Sequence, residues 1–534
     1  MKHIHFLILL PLFFLLLARN PFSTRTLIPN FEPFPDGFHY VTSARCMLAG
    51  YGRTLCREGR TIKPSVPPLY SWYLIPFFLI KNDARMFYFG NILLSLASLF
   101  LFYLLLRHFV KQKSIQFLIV FLYITNYFTH WYPTLAMAEN LLIPIFLLCL
   151  YLLLQSISYK RAAIFFFASF CLFGAKYSAA PIVIVFYLLY GIKLYRQRKT
   201  LKHLPKLAAG VSVAILFGFL ISGGSELVSR GINLVQNILF KEKLGLTTST
   251  ASSATWISTV FIKKNLPLYL QALAGGSIYT LWVKSSFVPQ FIGIVTAITV
   301  VVTSIRSRYQ FFSRSVLLLL AVQVGFLSLF YSFESRYILY AIPVLLLAFA
   351  IALQETVAFV QKHVSKKYRS AVPIALVTTI GLVFLGTNAL RLKNQVMLNL
   401  RHAETPWWYL SVIDLNKYFA DNTENKPIVI TAISPYLIDY YSNNNYKLLP
   451  LANQQDFNRD ERDQVAAWGP NDYSDLLSLY RQKLLDGNEV YVSKYGLGHE
   501  ADKIAAFQAI QDTFSLELVQ SGCYDLCNIY QLHL

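Results

Sequence analysis

What most restricts the fold of this chain is a recurrence of apolar runs with basic clusters at every second connection. The runs lie at about 86–106, 115–132, 138–158, 161–178, 179–195, 207–222, 286–304, 315–332, 336–355 and 371–390. Most approach the roughly twenty residues that a helix needs to cross a bilayer. Arg107/Lys111/Lys113, Lys160/Arg161, the group from Arg196 to Lys206, Arg306/Arg308/Arg314 and Lys362/Lys366/Lys367/Arg369 fall between them. Alternate connections carry few positive charges or are long, which is the positive-inside pattern. Only 14% of residues are charged, against roughly 25% in soluble domains. The chain therefore reads as a polytopic α-helical membrane protein. The net charge of +21 belongs to these loops, and no basic, aromatic-interleaved module points to nucleic acid.

The register fixes the role of one short run. If Leu69–Ile80 crossed the membrane, all five basic clusters would lie outside. Its twelve residues are also too few for a hydrocarbon core of about 30 Å. The sequence thus predicts an interfacial helix at the end of a long outer loop, residues 19–85. Before that loop, Ile4 to Ala18 is either a cleaved signal or a first span. A retained span is preferred because no small-x-small cleavage site follows. The count is then eleven spans with the amino terminus inside. A second long outer connection, residues 223–285, carries amphipathic stretches such as Ile232–Phe240, read as a surface helix or a lid.

From residue 401 to 534 the composition becomes that of an extracytoplasmic α/β domain. Strands are predicted at Pro427–Ala432, Glu489–Ser493, Ser515–Gln520 and Asn528–Leu534, and helices at Asp472–Leu485 and Glu500–Phe514. No glycine-rich turn followed by Lys-Ser/Thr suggests a nucleotide loop. Residues 1–400 form the membrane domain. Cys149 and Cys171 sit in apolar runs as packing residues. Cys46 with Cys56 and Cys523 with Cys527 lie in polar outer segments where either pair can oxidise, which spacing alone does not decide.

Ionisable groups collect at one level of the membrane part. Asp36 and Lys63 lie in the first outer loop, Glu139 begins a span, Lys176 lies at an outer turn, and Glu334 with Arg336 opens another span. Each has a plain structural reading: a solvated turn residue, an acid on a helix dipole, a snorkelling lysine, a structural ion pair. Their common level favours chemistry at a lipid phosphate. Cations would hold a phosphate leaving group, and a carboxylate would accept the proton of an attacking hydroxyl or amine. A transporter would tend to place its acids near the midplane.

The motifs that carry these residues are Asp36-x3-Tyr40-x3-Ala44-x5-Gly50, Lys63-Pro64-x2-Pro67-Pro68-Leu69-Tyr70-x-Trp72, Met137-Ala-Glu139-Asn-Leu-Leu and Glu334-x-Arg336-Tyr337-x5-Pro343. In this order the chain resembles the GT-C superfamily of integral-membrane glycosyltransferases, in the branch with protein O-mannosyltransferases and the lipid A aminoarabinose transferase. The resemblance implies transfer, usually with inversion, from a polyprenyl-phosphate sugar donor to a cell-envelope glycan, glycolipid or protein on the outer face of the inner membrane. Asp36 is then the base or acceptor anchor and Glu139 the second acid. Lys63, Lys176 and Arg336 are the phosphate-binding cations, with Tyr40, Tyr70, Glu334 and Tyr337 as further substrate contacts. A divalent cation stays open, since some relatives use one, but no spacing here demands it. Gly37 follows Asp36 where many relatives have a second acid, and His39 is unassigned. The carboxy-terminal domain does not match a β-trefoil. Three alternatives stand beside this reading: an envelope oligosaccharide polymerase or ligase, with Arg and His in a large outer loop; a lipid-linked glycan transporter; and a structural membrane scaffold, which leaves the outer acids and cations unexplained.

Overall fold

A computed structural model of the chain describes residues 7–18, 36–57, 60–62, 64, 66–197, 212–213, 216, 259–273, 298, 301–302, 309–330, 333–401, 415, 418–419, 426–432, 446–451, 474–494, 501–521 and 528–534. It divides into two compact units. The first comprises residues 1–19, 66–77 and 87–401; the second comprises 20–65, 78–86 and 402–534.

The first unit is helical. Its elements are α1 (Leu10–Leu17), most of α3 (Leu69–Ile80), α4 (Phe87–Phe109), α5 (Lys113–Ile124), α6 (Tyr127–Trp131), α7 (Glu139–Leu154), α8 (Tyr159–Ala175), α9 (Ala180–Gln197), α10 (Ile262–Leu273), α11 (Gln310–Leu327), α12 (Ala341–His363) and α13 (Ala371–Arg401). Helix α2 (Asp36–Leu48) belongs to the second unit. Among the described residues, four helical stretches are long and apolar enough to cross a membrane: Ala84–Phe109, Tyr177–Arg196, Gln310–Leu327 and Ala341–His363. The chain is thus an integral-membrane protein, but eleven spans are not established. Most of the runs at 207–222 and 286–304, and most of the 223–285 connection, lie outside the described residues. Others are shorter than expected. The run 115–132 is broken at Asn126, whose side chain accepts a hydrogen bond from the Phe128 amide at 3.0 Å and so starts α6 as a separate turn.

The core of this unit is α12. Every residue from Ala341 to Ile351 is buried, as expected of a helix that is apolar all round. Helix α7 packs against both α4 and α8. Phe146 of α7 lies 4.8 Å from the Tyr340 ring, and Phe165 of α8 stacks on Tyr190 of α9 at 4.4 Å. Helix α3 lies close to α4. The Tyr73 hydroxyl donates to the Gly90 carbonyl at 2.8 Å, and a Cβ on Gly90 would meet the Phe77 ring at 3.0 Å.

In the second unit, the Asp36-x3-Tyr40-x3-Ala44 spacing is that of one helical face. Asp36 opens α2, and Tyr40, Val41 and Ala44 are buried. Gly50 ends the helix: its φ is +85°, and the Tyr51 amide reaches back to the Cys46 carbonyl at 3.0 Å. Only glycine adopts that left-handed closing position without strain. An antiparallel hairpin follows, β1 (Leu55–Arg57) with β2 (Arg60–Ile62), Cys56 opposite Thr61. Cys46 is disulfide-bonded, while Cys149 and Cys171 are free and buried. Burial alone would raise the Asp83 carboxyl, but bidentate hydrogen bonds from Arg85 outweigh it and hold the group below its ordinary range.

The carboxy-terminal part of this unit is a five-stranded sheet of order β4-β3-β5-β7-β6. Strands β3 (Ile428–Thr431), β4 (Lys447–Pro450) and β5 (Val490–Ser493) are parallel; β7 (Ile529–His533) runs antiparallel to both its neighbours, β5 and β6 (Ser515–Gln520). Helices α14 (Ser474–Leu485) and α15 (Ala501–Thr513) supply Leu476, Tyr480, Phe507 and Ile510 to its core. Strand β4 is not among the strands expected from the sequence. It has two leucines and ends in proline, a signal that suits an edge strand.

The α3–α4 contact makes a first prediction. Gly90→Val is expected to cost about 1–3 kcal/mol, read as thermal unfolding in detergent. Gly191→Ala, where an added Cβ meets nothing within 4 Å, is expected to leave the transition unchanged or raise it.

Candidate functional site

Six of the residues expected in the site belong to the first unit, and five of them form one polar seam. Glu139 is the first residue of α7 and is 0% exposed. Lys176 follows the last residue of α8, with an extended backbone that carries its side chain off the helix axis. Its ammonium donates to Glu139 Oε1, and Lys176 is itself only 7% exposed. Because α7 and α8 are neighbours, the pair joins the start of one to the end of the other. Each charge is at the terminus where the helix dipole favours it.

Beyond Lys176 lies Tyr337, whose ring centroid is 4.3 Å from the Lys176 Nζ and 5.1 Å from the Arg336 Cζ. Two cations thus share one aromatic ring. Arg336 Nε is 3.5 Å from Glu334 Oε2. These residues sit on the 3-10 turn Ser335–Ile338 that leads into α12, so the central helix fixes their position. Helix α10 holds the segment from the other side. The Glu334 amide donates to the Tyr269 hydroxyl at 3.2 Å, and Asn265 donates to the Phe330 carbonyl.

Tyr70, expected as a substrate contact, is fully buried and donates to Asn91 Oδ1 at 2.7 Å. The Asn91 amide donates in turn to the carbonyls of Pro133 at 3.0 Å and Leu135 at 2.8 Å. Asn140 donates to the carbonyls of Tyr132, Leu135 and Met137, each at 3.0 Å. The charge of Glu139 and the amide of Asn140 both act on the Tyr70 hydroxyl. Two asparagines therefore fold the segment 132–138 against the start of α7. The sequence reading does not single out Asn91, Asn140 or Tyr269, although an asparagine inside an apolar run is an available signal.

In the second unit, Asp36 begins α2, and Tyr40, on the same helix face, is 2% exposed. Lys63 lies outside the described residues. Among the described residues, no group of three or more His, Cys, Asp or Glu side chains could hold a metal ion.

In fold, this set of helices with a small α/β sheet is similar to solved structures of ArnT. The chain superposes on ArnT from Cupriavidus metallidurans in the apo state with a TM-score of 0.58 at 13% identity. On the same protein bound to undecaprenyl phosphate, the TM-score is 0.57 at 12% identity. Both comparisons cover 99% of this chain and 97% of the other. No protein-family model matches the sequence, and no curated protein matches it significantly.

Removing one partner of the buried pair leaves the other charge without compensation. Lys176→Met is expected to lower stability by about 3–5 kcal/mol, measured as a loss of folded protein on heating in detergent.

Proposed function

We propose that this protein is a glycosyltransferase that moves a sugar from a polyprenyl-phosphate donor to a cell-envelope glycan, glycolipid or protein. The observation that carries this reading is the likeness of fold over 99% of the chain to ArnT, one structure of which holds undecaprenyl phosphate. The site supports it. In an apolar helical unit, an acid, two cations and a phenol ring stand together at helix ends.

The chemistry follows from those groups. An acceptor O–H or N–H attacks the anomeric carbon from the face opposite the phosphate. The new glycosidic bond forms as the bond to the phosphate oxygen breaks, so the configuration inverts. The acceptor's proton passes to a carboxylate, for which Asp36 is the choice, and the polyprenyl phosphate leaves with the electron pair. Charge grows on that leaving group, and Arg336 with Lys63 stabilises it. Glu139 is the second acid of the site. On this reading the protein works in the inner membrane, with the site and the carboxy-terminal domain on the extracytoplasmic side.

The test is transfer itself. Purified protein in proteoliposomes is given labelled polyprenyl-phosphate hexoses and pentoses, and loss of sugar from the carrier is followed. Asp36→Asn is expected to slow this loss by at least about 100-fold, and Arg336→Gln to weaken undecaprenyl-phosphate binding by about 10–100-fold. Wild-type transfer by Asp36→Asn would remove the role of the base. Labelling of a cysteine at position 36 only from the cytoplasmic side would overturn the orientation.

A further inference from the structure

Glu139 has two carboxylate oxygens in different circumstances. Oε1 accepts from Lys176, whereas Oε2 is buried with no hydrogen-bond partner among the described residues. A buried acceptor left unpaired is costly, and more so when charged, so a site where such an atom persists calls for a role, and a ligand donor supplies one. Phosphate does not suit the position. A carboxylate repels it, and the lysine alongside already has its counter-charge. An O–H or N–H donor does suit it.

We infer that Lys176 and Asn91 are positioning residues, which hold Glu139 so that Oε2 receives a hydrogen bond from a hydroxyl or ammonium group of the substrate. The inference rests on the donor reading above and deepens it. Lys176 leaves the set of phosphate ligands and becomes the group that fixes one carboxylate oxygen and so aims the other. The Tyr337 ring, 4.3 Å from the ammonium, helps to hold it in place.

Asn91 acts through the backbone. Its amide takes the carbonyls of Pro133 and Leu135, Asn140 takes those of Tyr132, Leu135 and Met137, and Glu139 follows directly on that segment. Tyr70 locks the Asn91 side chain through its Oδ1, so that the amide nitrogen can only face the segment. Tyr70 is thereby a positioning residue as well, and its ring stays out of contact with substrate.

The experiment separates carrier binding from turnover in the full-length protein. The binding probe is sugar-free undecaprenyl phosphate, and turnover is release of sugar from labelled polyprenyl-phosphate sugar at saturating carrier. Asn91→Leu is expected to keep carrier affinity within about threefold and to cut turnover about 100-fold, the cost of a misplacement on the order of 1 Å. Tyr70→Phe, a milder change that keeps the ring, is expected to show the same split at about tenfold. The double variant Glu139→Gln/Lys176→Met is expected to regain the melting temperature that Lys176→Met loses, while turnover stays down.

Three results would overturn the inference: turnover that returns with the melting temperature in the double variant, carrier affinity that falls as far as turnover in Asn91→Leu, or neither quantity changing in Asn91→Leu and Tyr70→Phe. A wild-type protein that neither binds undecaprenyl phosphate nor releases sugar from any carrier defeats the donor reading, and this inference with it. That outcome needs no variant and is therefore distinct from the other three.

Discussion

The ion pair between Glu139 and Lys176 sets the terms for the rest of the first unit. Taking both charges out of water costs several kcal/mol for each ion, and their attraction offsets this only in good geometry with further polar support. The support is specific. The start of α7 favours the acid, the end of α8 favours the base, and the Tyr337 ring lies 4.3 Å from the ammonium. None of these holds unless α7, α8 and the turn before α12 keep their relative positions. The apolar packing of α12, buried from Ala341 to Ile351, is what holds them.

The same low-dielectric setting explains the asparagines. The segment from Tyr132 to Ala138 has little regular hydrogen bonding of its own, yet Leu135 to Ala138 are at most 1% exposed. Irregular backbone at such a place survives only if protein groups satisfy its carbonyls. Asn91 and Asn140 do so for the carbonyls of Tyr132, Pro133, Leu135 and Met137. A helix could not replace this segment without moving Glu139 from the first position of α7. The polar cost of two buried amides is thus tied to where one carboxylate stands.

Much of this is legible in the residues. The apolar periods mark α4, α7, α8, α9, α11 and α12, and the common level of Glu139, Lys176, Glu334 and Arg336 along the chain groups the residues that the fold joins. The strands at Ile428, Val490, Ser515 and Ile529 follow from short apolar runs. What escapes has physical causes. Helix α2 reads as loop because its polar surface and flanking prolines hide the i, i+4 spacing of Asp36, Tyr40 and Ala44. The break at Asn126 depends on one side-chain cap, which hydropathy cannot register. Tyr70 stands in a motif, and only the position of Asn91 on the next helix shows which group its hydroxyl bonds. The roles of Asn91 and Asn140 depend on carbonyls brought near by the fold.

The distribution of charge also bears on which kind of membrane protein this fold serves here. From Phe87 to Leu106, from Asn140 to Leu154, from Ala162 to Ala175 and from Ala341 to Gln354, the helices carry no Asp, Glu, Lys, Arg or His. The acid and the cations stand at helix ends instead: Glu139 first in α7, Lys176 just past α8, Arg336 in the turn before α12. A carrier that moves a charged solute needs groups that lower its energy through the middle of the membrane. These helices offer none along the stretches described. A transferase has the opposite requirement, since the lipid tail stays in the hydrocarbon and only the phosphate and sugar need polar partners. An apolar interior with Glu139, Lys176 and Arg336 at adjoining helix ends is the distribution that the proposed transfer needs.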